Sequence, residues 1–454
     1  MKPLYNKTQI IHSLSFASNS AFKKVFEDES TCKKSYEKLQ NFVTEVSKKV
    51  FLDETIKKLI GDDWETVWGP VVYSHDHNSS FAVADNTMGA YYSKSQNLFV
   101  IAIAGTNSIS SYGWIQEDFH VNKTAVWKDI SGKGYGDISQ GTATGLNILR
   151  NTMKYKNKNL LTGLKDFIIR NDVKLAEVAV TGHSLGGALS PALALYLSDK
   201  QSEWDPKKTM NISTYPTAGP TIGVHKVYSW PSGETGKSFT DYFEEQIKKN
   251  RIKCFGIKNS LDIVPLAWNR TDLATIPSLY KNEDKDKNIE DVSFGNAALI
   301  AVLNLFKKSN KTSEARKQYI YKHIKGIELK KGTFDDKIDN IIKDKFKLLK
   351  GITKLYNSKY IPKSLHSSIG NLENITRFFG QAAYQHTTAY AKLLNIEVFL
   401  NEFTTIINSD SATDKEQHDT QMVIEMANEA LGFDINSLLE LSELTDEELE
   451  KLIK

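Results

Sequence analysis

Apolar side chains recur at helical spacing through the first part of the chain, residues 1–65. Leu39, Val43 and Val46, for example, fall on one face of a helix. This spacing predicts two or three helices. Further along, the apolar positions gather into short runs, of which 98–104 is nearly all apolar. A strand covered on both faces has this pattern, so 98–104 is predicted to be a central strand of a sheet.

Strand and helix patterns then alternate. Residues 139–171 have helical spacing and lead to a short apolar run at 176–180, after which 188–198 is rich in Ala and Leu. Two more apolar runs, at 212–217 and 251–257, have strand character. Strands separated by helical crossovers pair in parallel, so this order predicts an α/β chain with a mostly parallel sheet.

The turn between 176–180 and 188–198 is the first candidate functional site. It contains Gly182-His183-Ser184-Leu185-Gly186, a G-x-S-x-G pattern between a predicted strand and a predicted helix. In such a turn the glycines allow close backbone approach and the serine hydroxyl is held clear of the sheet. The N–H of Leu185, at the start of the helix, can then face a developing negative charge. The alternative is a glycine-rich loop without function.

The central strand ends at a second candidate site, Gly105-Thr106-Asn107. A small polar residue at this point can supply the second N–H of an oxyanion hole, although a simple turn has the same composition. An amphipathic stretch with several aromatic side chains follows. It predicts either a lid over an apolar cleft or an ordinary surface helix. The candidate lid residues are Ile109, Tyr112, Trp114, Ile115 and Phe119.

An acid and a histidine complete the pattern of a serine hydrolase. Asp262 follows the predicted strand 251–257, where a carboxylate can orient an imidazole, although it can equally be a turn or N-cap acid. Among the later histidines, His386 is favoured because it is predicted to lie in a turn of small residues before a helix. His366 is the reserve candidate. His323 and His418 lie in lysine-rich and charged contexts that do not favour an activated base.

The composition divides the chain into five predicted segments. The assignments are 1–65 as an N-terminal helical segment, 66–270 as the α/β core with nucleophile and acid, 271–374 as a lysine-rich helical insertion or cap, 375–410 as the end of the core with the histidine, and 411–454 as an acidic helical tail. The basic insertion favours transient contact with an anionic membrane surface, though a solvated face explains it too.

Bulk properties limit the other possibilities. The 454 residues carry a net charge of +3, which favours no nucleic-acid partner. Cys32 and Cys254 are the two cysteines of the chain, and the sequence does not show whether they pair. No metal or cofactor is implied. The N-terminus lacks the features of a cleaved secretory signal, which predicts a cytoplasmic protein or one exported without such a signal. The oligomeric state is not predictable.

Five motifs in order resemble those of the class 3 (fungal-type) lipase family. They are A-I-A-G-T-N-S (102–108) with Trp114-Ile115 and an acid beyond it, T-G-H-S-L-G-G-A-L (181–189), Ala218-Gly219-Pro220, N-S-L-D-I-V-P (259–265) and H-T-T-A-Y (386–390). The resemblance implies an α/β-hydrolase fold and a serine carboxylester hydrolase with a mobile lid, acting on acylglycerols or phospholipids. It places the nucleophile at Ser184, the acid at Asp262, the base at His386 and the oxyanion donors at Thr106 and Leu185.

The chain departs from the pattern of that family in three places. Ala104 stands where arginine is usual before the Gly-Thr pair, the acid after Trp114 is either Glu117 or Asp118, and the stretch from Asp262 to His386 is long. Other functions remain open: a phospholipase A1, an acyltransferase or thioesterase with the same triad, or a non-catalytic lipid-binding protein on a hydrolase scaffold.

Overall fold

A computed structural model provides the structure of the chain. The structure describes residues 2–22, 24, 26–27, 32–75, 81–105, 107, 123–227, 237–273, 275–276, 279–280, 319–343, 377–378 and 380–408.

Helices lie before, between and after the strands. They are α1 (Lys7–Ala17), α2 (Cys32–Leu52), α3 (Glu54–Ile60), α4 (Trp127–Ser131), α5 (Gln140–Asn147), α6 (Leu160–Arg170), α7 (Leu185–Asp199), α8 (Gln201–Trp204), α9 (Phe239–Lys248), α10 (Arg270–Leu273), α11 (Thr388–Leu394) and α12 (Glu397–Asn408), with a π-helical turn at Ile148–Thr152 and a 3₁₀ turn at Val264–Leu266. The prediction of two or three helices in the first 65 residues is confirmed by α1, α2 and α3.

The strands are β1 (Phe26–Glu27), β2 (Trp64–Tyr73), β3 (Phe81–Ala82), β4 (Asn86–Ser93), β5 (Leu98–Ile103), β6 (Thr124–Val126), β7 (Asp137–Ser139), β8 (Glu177–His183), β9 (Asn211–Thr217), β10 (Gly223–Val227), β11 (Lys253–Cys254), β12 (Gly256–Asn259), β13 (Tyr319–Lys322) and β14 (Ile327–Lys330). The main sheet has the order β14-β12-β9-β8-β5-β4-β2, with β11 beside β9. The strands from β14 to β5 run parallel to one another. Strand β4 runs antiparallel to β5, and β2 runs antiparallel to β4. The predicted α/β-hydrolase fold with a mostly parallel sheet is thereby confirmed.

Strand β5 is buried on both faces, as its apolar sequence predicts. Phe99 and Ile101 pack into the core formed with the layer of α5, α6, α7 and α9. Leu98 and Val100 face the opposite core, which is formed with α1, α2, α3 and α12. Two helical layers therefore enclose the sheet, and the carboxyl ends of β5, β8 and β9 meet at one edge.

A buried carboxylate ties the far end of α7 to α4 and α9. Asp199 Oδ2 accepts from Trp127 Nε1 at 3.0 Å, and its Oδ1 accepts from the Tyr242 hydroxyl at 2.6 Å. Asp199 is buried. Because a buried charge is tolerated where its oxygens accept hydrogen bonds, these two donors hold the end of α7 in place.

The segment 319–343 differs from the helical insertion predicted for 271–374. It contains β13, which pairs with β10 in a small antiparallel sheet, and β14, which pairs with β12 as an edge strand of the main sheet. A lysine-rich sequence can form an edge strand, where long charged side chains stay in solvent, so charge pattern alone did not reveal it. Within 319–343, residues 336–343 are helical.

Three further findings concern cysteine chemistry, membranes and metal ligands. Cys254 is a free, half-buried thiol, and burial raises its pKa to about 12. Among the residues that the structure describes, none of the helices combines the length and apolar character required to cross a bilayer. Within the same residues, no group of three or more His, Cys, Asp or Glu side chains is arranged as metal ligands.

Candidate active site

Ser184 is the single residue between β8 and α7. Its φ of 57° and ψ of −121° are a strained combination for a residue with a side chain. The turn is possible because its flanking glycines leave room: a Cβ at Gly182 would strike the backbone of Gly186, and one at Gly186 would strike Ile103 O. This is the strand–turn–helix predicted from the sequence, and it leaves the serine hydroxyl at the carboxyl edge of the sheet.

The structure brings Ser184, His386 and Asp262 together at hydrogen-bond distances. His386 Nε2 lies 2.9 Å from Ser184 Oγ, and Nδ1 of the same ring lies 2.9 Å from Asp262 Oδ2. The Asp262 carboxylate is fully buried. A carboxylate can only accept, so Nδ1 carries a proton and Nε2 is free to accept from the serine hydroxyl. This is the tautomer required for proton abstraction from Ser184.

Further donors hold the Asp262 carboxylate. The Tyr390 hydroxyl donates to Oδ2 at 2.9 Å and accepts from Asn259 N–H at 2.9 Å, while Val264 N–H donates to Oδ1 at 3.0 Å. Tyr390 is fully buried, and burial, reinforced by the charge of Asp262, raises the pKa of its hydroxyl well above the ordinary value. Tyr390 therefore keeps its proton and fixes the orientation of the carboxylate.

Buried amides position the helical residues 380–386, which end at His386. Asn259 Nδ2 donates to Gln385 Oε1 at 2.7 Å and to Gln385 O at 3.0 Å. Gln385 Nε2 donates to Thr333 O at 2.7 Å, and Gln381 Nε2 donates to Asp335 O at 2.6 Å. The segment that follows β14 thus holds the helix that carries His386. The turn predicted around His386 is replaced by a helix end.

His183 lies behind the nucleophile turn and is buried. Its Nδ1 is 3.3 Å from Thr217 Oγ1, and its ring centroid is 4.9 Å from that of His386 and 5.1 Å from that of Tyr390. Burial first, and the nearby His386 second, hold the pKa of His183 well below its ordinary value. A neutral ring in this position packs the site without competing for the proton of Ser184.

Of the remaining predicted site residues, the structure describes Leu185 but not the others. Leu185 is the first residue of α7, so its backbone N–H lies in the first turn of the helix beside Ser184. Thr106, the lid residues (Ile109, Tyr112, Trp114, Ile115 and Phe119), His366 and the tail 411–454 lie outside the described residues. The sequence patterns did not reveal the roles of Tyr390, Asn259 and Gln385 in holding Asp262 and His386.

Comparisons with known proteins agree with this geometry. The sequence profile of the family described as Lipase (class 3) matches residues 100–271, a range that holds most of β5, the Ser184 turn and Asp262. The crystal structure of M37 lipase is similar over 92% of this chain and 98% of its own length, at 26% identity and a TM-score of 0.58. Residues 100–271 of this chain are thus similar to the class 3 lipase family.

Other lipases with solved structures are similar over a smaller part of this chain. The Rhizomucor miehei lipase propeptide complex is 18% identical over 58% of this chain and 62% of its own, with a TM-score of 0.35. The lipase from Rhizopus microsporus var. chinensis is 17% identical over 58% of this chain and 70% of its own, with a TM-score of 0.35. A search of curated proteins finds no match.

Proposed function

We propose that this chain is a lipase of the class 3 type, a serine carboxylester hydrolase that cleaves acyl esters of glycerolipids. The observation that carries the proposal is the continuous hydrogen-bonded path from Ser184 through His386 to the buried Asp262. The order of the three in the chain, nucleophile, acid and histidine, is that of α/β-hydrolases. The similarity to M37 lipase supports ester chemistry of the lipase type.

The reaction proceeds through an acyl-enzyme. Ser184 Oγ attacks the ester carbonyl while His386 Nε2 takes its proton, and Asp262 stabilises the imidazolium that forms. His386 then returns the proton to the leaving alcohol as the C–O bond breaks. A water molecule, deprotonated by the same nitrogen, attacks the acyl group and releases the fatty acid and Ser184. Backbone N–H groups of Leu185 and Thr106 are the proposed donors to each oxyanion.

Covalent labelling tests the nucleophile directly. A fluorophosphonate probe is expected to label the wild-type chain, and Ser184→Ala to abolish both labelling and turnover of a short-chain p-nitrophenyl ester. Ser190→Ala, a buried serine of α7, is the matched control and is expected to be labelled normally. Absence of labelling that depends on Ser184 would refute the enzymatic proposal in favour of a non-catalytic lipid-binding protein.

The identity of the base requires its own comparison, because His366 was the reserve candidate. His386→Ala is expected to lower kcat for the short-chain ester by a factor of about 10⁴ or more, as loss of a triad base does. His366→Ala is expected to retain activity. The assignment of His386 fails if His366→Ala alone loses nearly all turnover.

A substrate panel distinguishes a triacylglycerol lipase from a phospholipase A1. Tri-, mono- and phospho-acylglycerols are compared above and below their aggregation concentrations, since a lid over the site predicts a rise in rate at the lipid surface. Hydrolysis of phospholipid in preference to triacylglycerol would establish the second function instead. Binding to anionic vesicles that weakens with salt tests the proposed membrane contact of the lysine-rich segment.

A further inference from the structure

The turn that follows α1, residues 18–22, contacts the loop that follows β5. Gly105 N–H donates to Asn19 Oδ1 at 2.8 Å, and Asn107 Nδ2 donates to Ala21 O at 3.2 Å. Asn107 is buried. The two hydrogen bonds therefore hold the residues on either side of position 106, which the sequence predicts to supply an oxyanion donor.

Asn19 has one orientation that satisfies its surroundings. Its Nδ2 lies 3.3 Å from Phe16 O and 3.4 Å from Ser15 O, two carbonyls at the C-terminal end of α1 that also accept backbone N–H groups. With the amide nitrogen directed to these carbonyls, Oδ1 is left to accept from Gly105 N–H. The side chain thus links the end of α1 to the loop after β5.

Gly105 in turn lies directly against the Ser184 turn. A Cβ at Gly105 would lie 2.9 Å from His183 O and 3.2 Å from Ser184 Cβ, which is closer than real Cβ atoms normally approach. The loop and the nucleophile are therefore packed without spare room. A shift of a few tenths of an ångström in Gly105 changes the distance between the loop and the reacting centre.

Helix α1, which directly precedes the turn that carries Asn19, is held by contacts at both of its ends. The Phe16 ring packs against the His183 ring with centroids 5.0 Å apart. At the other end of α1, Lys7 Nζ lies 2.6 Å from Glu177 Oε2 at the start of β8, and Gln9 Nε2 donates to Asn395 O at 2.9 Å. The helix is thus held at both ends.

From these contacts we infer that Asn19 is a positioning residue for ester hydrolysis, which holds Gly105 against the Ser184 turn and thereby positions the oxyanion donor predicted at residue 106. The inference rests on the proposed function, since it concerns the same reaction. It adds the turn after α1 to the parts of the chain that position the reacting groups. This turn lies outside the 100–271 range matched by the family profile. Asn19 touches neither substrate nor nucleophile and acts through Gly105.

The test compares Asn19→Ala with Ser18→Ala on a short-chain p-nitrophenyl ester. Removing an oxyanion donor outright lowers kcat by about 10²–10³, so a displaced donor is expected to lower it about 10- to 100-fold with KM within about twofold. Inactivation by a phosphonate ester, whose product places an oxygen in the same hole, is expected to slow by a similar factor. Ser18 Oγ donates to Ser15 O in the same turn, so Ser18→Ala is expected to keep both rates.

Asn107→Ala keeps the inference testable if Asn19→Ala does not fold. It breaks the other contact with the turn and is expected to lower kcat about tenfold, with the thermal unfolding midpoint measured for every variant. Wild-type kcat in a folded Asn19→Ala or Asn107→Ala protein, or an equal loss in Ser18→Ala, would overturn the inference. Labelling of wild-type Ser184 is measured first, because its absence refutes the proposed function itself rather than the role of Asn19.

Discussion

The buried imidazole of His12 makes the stability of the fold depend on pH. This α1 residue is fully buried and lies edge-on to Tyr215, with ring centroids 6.0 Å apart. Neither ring nitrogen has a hydrogen-bond partner among the described residues. Burial therefore lowers the pKa of His12 from 6.5 to about 4.

The size and direction of the effect follow from proton linkage. Above pH 6.5 the ring is neutral in both the folded and the unfolded chain, so its contribution does not change with pH. Between pH 6.5 and 4 the unfolded chain binds a proton that the folded chain excludes, and the free energy of unfolding falls as pH falls. A pKa lowered from 6.5 to about 4 corresponds to a loss of about 3 kcal/mol.

Urea denaturation at pH 7.5 and pH 4.5 measures this loss in wild type and in His12→Leu. Leucine fills a similar volume and does not titrate, so the variant is expected to lose about 2–3 kcal/mol less than wild type between the two pH values. His183, whose pKa is also lowered, contributes with the same sign in both proteins. Burial is the main cause of its shift and His12 the smallest, so most of its contribution cancels in the difference.

Ile11→Val is the matched control for this experiment. Ile11 is a fully buried neighbour of His12 on α1. The variant is expected to be about 1 kcal/mol less stable at both pH values, with the pH dependence of wild type. The reasoning is refuted if His12→Leu loses as much stability on acidification as wild type does.

Three other substitutions or probes test separate parts of the structure. Tyr390→Phe leaves Asp262 without one of its donors. The variant is expected to lower kcat about tenfold in steady-state kinetics and the free energy of unfolding by about 2 kcal/mol in urea denaturation. Unchanged values would contradict this role of Tyr390. Asp199→Ala leaves a tryptophan indole and a tyrosine hydroxyl without their acceptor. It is expected to lower the free energy of unfolding by about 3 kcal/mol in the same denaturation assay. A loss below about 1 kcal/mol would contradict this prediction. Because burial raises the pKa of Cys254 to about 12, iodoacetamide is expected to modify it slowly in the native protein and rapidly in urea, and equal rates would show that the thiol is accessible.

The parts of the site that were predictable from the sequence are those whose conformation depends on residues adjacent to one another in the sequence. Ser184 lies between an apolar run and an Ala-rich helix, so glycine spacing and hydrophobic pattern together predict its turn. Asp262 follows the run 251–257, whose end forms part of β12, in the same way. The alternation of strands and helices predicted the parallel sheet because each element carries its own period.

The other parts depend on contacts between distant segments. The Tyr390 hydroxyl reaches Asp262 across 128 positions and Gly105 reaches Asn19 across 86, and no local pattern marks either contact. The helix ending at His386 was predicted as a turn because its small residues are typical of turns. Partners of Gln381 and Gln385 in 333–335 stabilise it as a helix instead, which is tertiary context overriding local propensity.

The contact between α1 and the end of α11 has a consequence for how the protein is made. Gln9 Nε2 donates to Asn395 O across 386 positions, and His386 meets Ser184 across 202. Contacts so distant in sequence close large loops and form late, after the local parts of the sheet. During synthesis the serine turn is complete long before its histidine leaves the ribosome. A nascent chain of that length therefore has the serine turn without the imidazole that is hydrogen-bonded to it in the folded protein.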